Sequence, residues 1–186
     1  MQAIQSLAVF CGSKAGNNPA YINDAIQVGT LMAKQNIELI YGGGGKGLMG
    51  AVADAVLNNG GKVTGIIPTL LLSWEQQHTA LTNLIEVADM HVRKRMMYDK
   101  SDAAIILPGG FGTLDELFEM LTWNQLSIHS KKIFILNTAG FYNDLIAHIN
   151  AMQAADFLYP AAATSFTVVA SPAEIFNTLS SFSTLK

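Results

Sequence analysis

Several short segments of this chain are apolar at every position, and this pattern restricts the fold more than any other feature of the sequence. The clearest is Ala104-Ile105-Ile106-Leu107, in which no position is left for a solvent-facing side chain. Strands that are covered on both faces, as in parallel sheets, show such continuous apolar runs. We predict strands at Leu7–Cys11, Glu38–Tyr41, Lys62–Ile67, Leu84–Val87, Ala103–Leu107, Ile133–Leu136 and Phe166–Ala170.

Longer segments with helical periodicity lie between these runs. In the first of them, Pro19–Gln35, the residues Ile22, Ala25, Ile26 and Gly29 fall on one stripe of a helix. Further helices are predicted over Gly47–Asn58, Met90–Lys100, Thr113–Leu126, Phe141–Ala155 and Pro172–Phe182. Alternating strands and helices are typical of right-handed βαβ units. The sequence therefore predicts an α/β fold, a single domain over residues 1–186 with a doubly wound, mostly parallel sheet flanked by helices.

Composition excludes several classes of protein. Half of the 186 residues are apolar, which rules out intrinsic disorder, and the net charge of −3 argues against a nucleic-acid-binding protein. The single cysteine, Cys11, forms no internal disulfide. No apolar run approaches the roughly 20 residues of a membrane span, and the first residues lack a secretory signal, so we expect a cytoplasmic protein. Since only 13% of residues are charged, we expect an apolar face to be covered in a homodimer.

Glycine-rich or small-residue loops follow three of the predicted strands, at residues 11–13, 42–47 and 108–113. Ligands of such sheets bind beyond the carboxyl ends of the strands. Glycines leave backbone N–H groups open to an anion, and a helix that begins directly afterwards adds unpaired N–H groups and a positive dipole end. The second and third loops have this form, which favours a phosphate or carboxylate ligand. Glycines that merely turn the chain tightly are the alternative.

Common nucleotide-binding and metal-binding patterns do not fit. The run Gly42-x-Gly44-x-x-Gly47 matches the dinucleotide fingerprint, but it follows the second strand, and the next strand ends in Pro68-Thr69 without the ribose-binding acid. In the same run Lys46 is followed by glycine instead of serine or threonine, which excludes the phosphate loop of nucleotide triphosphatases. The histidines have no metal-ligand spacing and are interpreted as surface or structural residues: His78, His91, His129 and His148.

A cluster of three cations stands out in a chain so poor in charge. Arg93, Lys94 and Arg95 lie at the predicted start of a helix, where cations oppose the helix dipole. Because these cations gain nothing from the helix itself, their position indicates that they bind a ligand. An exposed basic turn is the alternative. Downstream, Glu116 lies one helical turn after the third glycine loop. Since Thr113-x-x-Glu116 also matches a capping box, a purely structural role for this glutamate stays open.

Together these segments resemble one known family. The run Pro108-Gly109-Gly110-Phe111-Gly112-Thr113-Leu114-Asp115-Glu116 fits the pattern P-G-G-x-G-T-x-x-E, and Met90-His91-x-Arg93-Lys94 is the second specific element. With these elements the sequence resembles the LONELY GUY family of cytokinin riboside 5′-monophosphate phosphoribohydrolases, formerly described as lysine decarboxylases. The resemblance runs through nearly the whole chain. It implies a Rossmann-like fold, a homodimer with active sites near its interface, and hydrolysis of a purine nucleoside 5′-monophosphate to the free base and ribose 5-phosphate, without cofactor or metal.

The resemblance also implies roles for individual residues. Arg93 and Glu116 correspond to the catalytic pair. The implied substrate contacts are Glu75, Lys94, Gly109, Gly110, Phe111, Gly112, Thr113, Leu114, Asp115 and Thr122. Two positions depart from the family pattern, because Val92 and Asn83 stand where many members have glutamates. The sequence thus leaves open whether the substrate is AMP or carries an N6-isoprenoid group.

A mechanism follows from the chemistry of the N-glycosidic bond, whose cleavage builds positive charge on the ribose. The carboxylate of Glu116 would stabilise that charge or activate the attacking water, while the N–H groups of residues 110–113 would hold the 5′-phosphate. Arg93 would bind a phosphate or ribose oxygen and keep the glutamate ionised. The alternatives are a non-catalytic nucleotide-binding or sensor module, and a lysine decarboxylase. The latter would need a lysine placed for pyridoxal phosphate, and none is evident in the sequence.

Overall fold

The computed structural model describes residues 4–72, 77–159 and 165–183, and in these residues seven parallel strands form one sheet in the order β4-β3-β2-β1-β5-β6-β7. The strands are β1 (Ser6–Phe10), β2 (Glu38–Tyr41), β3 (Val63–Pro68), β4 (Asn83–Val87), β5 (Ala103–Ile106), β6 (Lys132–Leu136) and β7 (Thr167–Val169). The helices are α1 (Pro19–Lys34), α2 (Gly47–Asn58), α3 (Met90–Lys100), α4 (Phe111–Gln125), α5 (Asn143–Ala154) and α6 (Pro172–Ser183). Every predicted strand and helix is present, with ends displaced by no more than two residues.

The central strands are buried on both faces, as their continuous apolar sequences predict. All residues of β1, β3 and β5 are buried. On one face, α1, α2 and α6 pack against the sheet, and on the other face α3, α4 and α5 do so. α1 and α2 approach closely at Gly29, where any larger residue would collide with the backbone of α2. The predicted α/β, doubly wound sheet is therefore confirmed, with a core on each face.

The strand order places a topological switch point between β1 and β5. From β1 the chain builds outwards to β4, then crosses back to β5 on the other side of β1 and continues to β7. The loops that leave β1 and β5 therefore diverge at the carboxyl edge of the sheet, where α/β proteins bind their ligands. A hydrogen bond from the Gly12 N–H to the Pro108 carbonyl, at 3.0 Å, joins the two loops. None of the helices in the described part of the chain has the length and apolar character needed to cross a membrane.

Candidate active site

A cleft of about 300 Å³ lies at the switch point between the loops after β1 and β5. Residues at the end of β1, the first turns of α3 and the start of α4 line it. Six of the residues predicted for the site are among those lining residues: Arg93, Gly110, Phe111, Gly112, Thr113 and Glu116. A larger hollow of about 390 Å³ lies where β6 begins, at the opposite edge of the sheet, and none of the predicted site residues lines it. The residues predicted for the site therefore gather at the switch point.

The start of α4 forms an open seat for an anion. Gly110 is the N-cap residue of α4, and the helix begins at Phe111, two residues before the predicted start. The first N–H groups of a helix have no intrahelical partner, so those of residues 111–113 are available to a ligand. A Cβ atom on Gly110 or Gly112 would have no other atom within 4 Å, which shows that the space above the loop is open. The positive end of the helix dipole points into this space.

The capping-box interpretation of Glu116 is wrong. Since Gly110 is the N-cap, Thr113 is the third residue of α4, and the cap has no side-chain hydrogen bond. Thr113 is instead buried beneath the loop, and a Cβ atom on Gly109 would collide with its hydroxyl group. Gly109 is therefore required by close packing, whereas Glu116 is left without the structural role that the sequence pattern allowed.

Two glycines of the loop between β2 and α2 pack closely against other protein atoms, whereas Gly110 and Gly112 of the loop before α4 do not. Gly47 has a φ angle of +60°, and a Cβ atom there would collide with the backbone of Ser13. A Cβ atom on Gly42 would collide with the guanidinium group of Arg93. Close packing explains these glycines, so the tight-turn alternative holds for this loop. For the loop before α4, where the space is open, anion binding stays a prediction.

Arg93 lies in the first turn of α3 and is buried, with 5% of its surface exposed. Its Nη2 donates to the Gly42 carbonyl at 3.3 Å, and its Nη1 lies 3.6 Å from the Met90 Sδ. Its Nε is buried and has no hydrogen-bond partner among the described residues. A guanidinium is always charged, and burying a charge is costly, so a spare donor beside the cleft favours an oxygen-rich ligand. The alternative of an exposed basic turn is wrong for Arg93 and for Lys94, which is 8% exposed.

Glu116 lies in the second turn of α4, is 9% exposed and lines the same cleft. Burial and, after it, the charge of Glu116 raise the pKa of the Cys11 thiol, which also lines the cleft. The thiol therefore stays protonated at neutral pH, and the carboxylate lies near enough to influence it. A buried carboxylate and a buried guanidinium thus share one cleft beside an anion seat. A site of this composition is chemically suited to hold an anion at one end and to set a negative charge against developing positive charge.

Behind the cleft, four polar side chains join α3 to α4, and we call them the α3–α4 network: Lys94, Tyr98, Asp115 and Glu119. The Lys94 Nζ lies 3.1 Å from the Asp115 Oδ2 and 3.1 Å from the Glu119 Oε2. The Tyr98 hydroxyl donates to the Glu119 Oε2 at 2.9 Å, and it lies 3.3 Å from the backbone carbonyl oxygen of Glu116.

The electrostatics of the α3–α4 network keep its donors protonated. Burial by itself lowers the pKa of Lys94, but hydrogen bonds to Glu119 and Asp115 outweigh burial, so the pKa is raised. Burial, followed by the charge of Glu119, raises the pKa of Tyr98. The ammonium and the phenol therefore both act as donors at neutral pH.

The remaining predicted substrate contacts lie elsewhere. Thr122 is exposed, and its hydroxyl donates to the Phe118 carbonyl at 2.7 Å. Leu114 packs against the core beneath α3, α4 and α5. Glu75 lies outside the described residues. The binding roles of these residues, and those of Lys94 and Asp115, stay predictions.

Six apolar residues that line the cleft were not predicted as site residues: Val9, Phe10, Met49, Leu71, Met90 and Met97. Met97 lies four positions after Arg93 on α3, a spacing that places both on one helical face and that would have indicated it. Leu71 belongs to a short 3₁₀ turn after β3 and has no such signal in the sequence. Among the described residues, no group of three or more His, Cys, Asp or Glu side chains is placed to hold a metal ion.

The chain matches known proteins over most of its length. Residues 49–179 match the family model described as "Possible lysine decarboxylase". The chain is 47% identical to cytokinin riboside 5′-monophosphate phosphoribohydrolase LOG1 of Arabidopsis thaliana, over 84% of this chain and 73% of that protein. Its identity to LOG7 of the same plant is 45%, over 84% of this chain and 72% of that protein. Its identity to the probable phosphoribohydrolase LOGL6 of Oryza sativa subsp. japonica is 41%, over 95% of this chain and 71% of that protein.

Solved structures support the fold. The molybdenum cofactor binding protein from Rippkaea orientalis superposes with a TM-score of 0.72 at 20% identity, covering 99% of each chain. The Moco carrier protein from Chlamydomonas reinhardtii superposes with a TM-score of 0.71 at 18% identity, covering 95% of each chain. At these identities the similarity concerns the fold alone, and it agrees with the Rossmann-like architecture implied by the sequence.

Proposed function

The chain belongs to the LONELY GUY family of cytokinin riboside 5′-monophosphate phosphoribohydrolases, and we propose that it is a hydrolase acting on a purine nucleoside 5′-monophosphate. The reaction cleaves the N-glycosidic bond and gives the free base and ribose 5-phosphate. Relatives that are 41% and 47% identical to the chain carry this activity in their names.

The single observation that carries the proposal is the pairing of Arg93 and Glu116 in one cleft. Both are at least nine-tenths buried, and both line the hollow at the switch point. A carboxylate beside an anion seat repels a bound phosphate, and this cost is best offset where its negative charge stabilises positive charge that develops in a transition state. The non-catalytic nucleotide-binding or sensor module predicted as the alternative therefore finds no support in the site.

The role of Glu116 follows from the transition state. As the N-glycosidic bond breaks, the ribose acquires oxocarbenium character, and a carboxylate nearby lowers the energy of that state. The same carboxylate would also orient and deprotonate the attacking water. In either case the negative charge of Glu116 supplies the stabilisation.

The start of α4 would hold the 5′-phosphate. The open N–H groups of residues 111–113 and the helix dipole bind the phosphate, and this binding energy holds the ribose against Glu116. Arg93, with its spare Nε, would take a phosphate or ribose oxygen. The phosphate seat therefore predicts that the nucleotide is a substrate and the nucleoside is not.

A release assay tests the proposal. Purified protein is incubated with AMP, GMP, CMP and isopentenyladenosine monophosphate, and with adenosine, while free base and ribose 5-phosphate are measured. We expect cleavage of a purine monophosphate and no cleavage of adenosine. Equal rates on adenosine and AMP would contradict the phosphate seat, and the ratio of AMP to its isopentenyl derivative identifies the preferred base. A lysine decarboxylase would instead contain pyridoxal phosphate, so a colourless protein argues against that alternative.

A homodimer and a cytoplasmic location are part of the same proposal. Val92 on α3 and Phe111 and Phe118 on α4 are 41%, 93% and 38% exposed. Exposed apolar side chains on the two helices that carry the catalytic pair support an interface near the active site.

A further inference from the structure

The contacts of Lys94 and Tyr98 with α4 fall on both sides of Glu116. These two residues lie one helical turn apart on α3 and project towards α4. Lys94 binds Asp115, which directly precedes Glu116, and Glu119, which lies three positions after it. Tyr98 binds the Glu119 carboxylate and approaches the backbone carbonyl of Glu116 itself. The turn of α4 that carries the carboxylate is thus held at three points.

We propose that Lys94 and Tyr98 are positioning residues that fix the turn of α4 carrying Glu116 relative to Arg93 on α3. This inference rests on the proposed function, in which Glu116 and Arg93 act on one substrate. It assigns Lys94 a different role from the substrate contact implied by the family resemblance. Its Nζ is engaged by two carboxylates, and Lys94 is not among the residues that line the cleft.

The geometry explains why positioning matters here. Lys94 directly follows Arg93 in the chain, and its ion pairs connect this part of α3 to α4. A shift of α4 along α3 would therefore lengthen these ion pairs and, at the same time, change the distance from Glu116 to Arg93. A catalytic group that is displaced by about 1 Å loses roughly a hundredfold in rate. Tyr98 is itself fixed by two contacts. Its ring packs edge-on against that of Trp123, with the ring centroids 4.6 Å apart, and its backbone carbonyl accepts a hydrogen bond from the Lys131 Nζ.

The α3–α4 network also balances charge around Glu116. Three carboxylates lie within five positions of α4, and the Lys94 ammonium lies between two of them. Without that ammonium, the remaining like charges would favour the protonated form of Glu116 and raise its pKa. Among the described residues, the charged or titratable groups near Glu116 include Arg93, Lys94 and Tyr98 of α3, Asp115 and Glu119 of α4, and Cys11 after β1.

Four variants test the proposal with AMP as substrate. Lys94→Met removes the charge, Lys94→Arg keeps it, and Tyr98→Phe removes only the hydroxyl. Lys100→Met is the control, because this lysine is exposed in the last turn of α3 and loses the same charge. We expect Lys94→Met and Tyr98→Phe to lower kcat by about tenfold or more while KM stays within about threefold. Lys94→Arg should recover part of the loss, and Lys100→Met should behave as wild type.

Two further measurements separate positioning from substrate contact and from loss of structure. Calorimetric binding of ribose 5-phosphate should be unchanged within about threefold in all four variants, because the phosphate seat is intact. The acidic limb of the pH–kcat profile should move to higher pH in Lys94→Met and stay in place in Tyr98→Phe, since only the first change removes a positive charge beside Glu116. Melting temperatures are recorded alongside to show which variants fold. If Lys94→Met does not fold, the kcat of Tyr98→Phe tests the positioning role by itself.

The results that overturn the proposal are distinct from failure of the proposed function. Wild-type kcat in Tyr98→Phe and in folded Lys94→Met would remove the positioning role. A loss of ribose 5-phosphate affinity in Lys94→Met, with kcat retained at saturation, would make Lys94 a substrate contact instead. If wild-type protein releases no base from any nucleotide, the proposed function fails before any variant is compared.

Discussion

Replacing Glu116 by glutamine tests whether this residue acts through its negative charge or only through its size. Glu116→Gln keeps the size of the side chain and removes its charge, and no capping box depends on the carboxylate. If its charge faces the ribose, we expect kcat to fall by about a thousandfold, which corresponds to roughly 4 kcal/mol of transition-state stabilisation. The melting temperature should stay near that of the wild type. Single-turnover cleavage of AMP, measured beside thermal unfolding, checks both expectations.

The control for this prediction is Glu86→Gln, which makes the same change at an exposed glutamate on β4. Its rate should equal that of the wild type. A Glu116→Gln variant that folds normally and retains more than about a tenth of the wild-type rate would show that the charge is dispensable.

The buried thiol of Cys11 supplies a second test at the residue scale. Burial and the nearby charge of Glu116 both raise its pKa, and the thiolate is the reactive form of cysteine. Because the folded-state pKa is raised, the thiol stays protonated through mildly alkaline pH. We therefore expect a disulfide reagent to modify the folded protein far more slowly than the denatured protein, in a stopped-flow absorbance assay. Rapid modification of the folded protein would mean that Cys11 is exposed to solvent.

At the scale of elements, the two glycine loops should respond in opposite ways to the same substitution. Gly110 has φ −98° and ψ −154°, which alanine accepts, and its Cβ position is open. Gly110→Ala should therefore unfold at nearly the wild-type temperature and bind ribose 5-phosphate about tenfold more weakly, because the methyl group intrudes on the phosphate seat. Calorimetry measures that affinity, and wild-type affinity in Gly110→Ala would place the phosphate elsewhere.

Gly47→Ala is the matched change in the other loop. The φ angle of +60° and the collision with Ser13 should lower the free energy of unfolding by about 1–3 kcal/mol. Chemical denaturation measures this loss. A Gly47→Ala variant as stable as the wild type would show that the loop between β2 and α2 relaxes more easily than its packing indicates.

The comparison of the two loops also shows how far the sequence predicts local structure. Every strand and every α-helix of the described residues was predicted, because strands buried on both faces leave continuous apolar runs that helices with 3.6-residue periodicity do not. The start of α4 was placed two residues late, since a Thr-x-x-Glu pattern and a glycine N-cap both signal a helix start. Which glycines bind a ligand and which permit close packing depends on neighbours distant in sequence, so the sequence left this open.

The site was predictable where its residues belong to local patterns and not where they meet across elements. Arg93 and Glu116 stand in specific motifs, and both line the cleft. The link between Tyr98 and Glu119 joins residues 21 positions apart, and no local pattern announces it. The role of Lys94 depends on that link. Sequence reasoning therefore identified two charged residues that share the cleft, Arg93 and Glu116, and missed the contacts that join α3 to α4 around them.

For the whole molecule, the switch point explains why α3 and α4 form the site. The chain adds strands outwards from β1 on one side of the sheet and outwards from β5 on the other side. The loops after these two adjacent strands therefore turn away from each other and leave an opening between them. The helix before β5 and the helix after it then flank the same opening. Arg93 comes from the first and Glu116 from the second, on one face of the sheet. The topology thus brings Arg93 and Glu116 into one cleft, and the outer surfaces of these two helices are the ones proposed to contact a second subunit.

The assembly prediction follows from those outer surfaces. We expect a dimer of about twice the 20.0 kDa chain mass in light scattering at micromolar concentration. Phe118→Glu places a charge on the exposed face of α4 and should shift the protein towards monomer, because an unpaired charge is costly at an apolar interface. Phe157→Glu is the control, since Phe157 is an exposed phenylalanine beyond the end of α5. If the wild type is monomeric, or if both variants dissociate equally, the α3–α4 face is not the interface. If only Phe118→Glu dissociates and base release falls with it, the α3–α4 face is the interface and the dimer contributes to the active site.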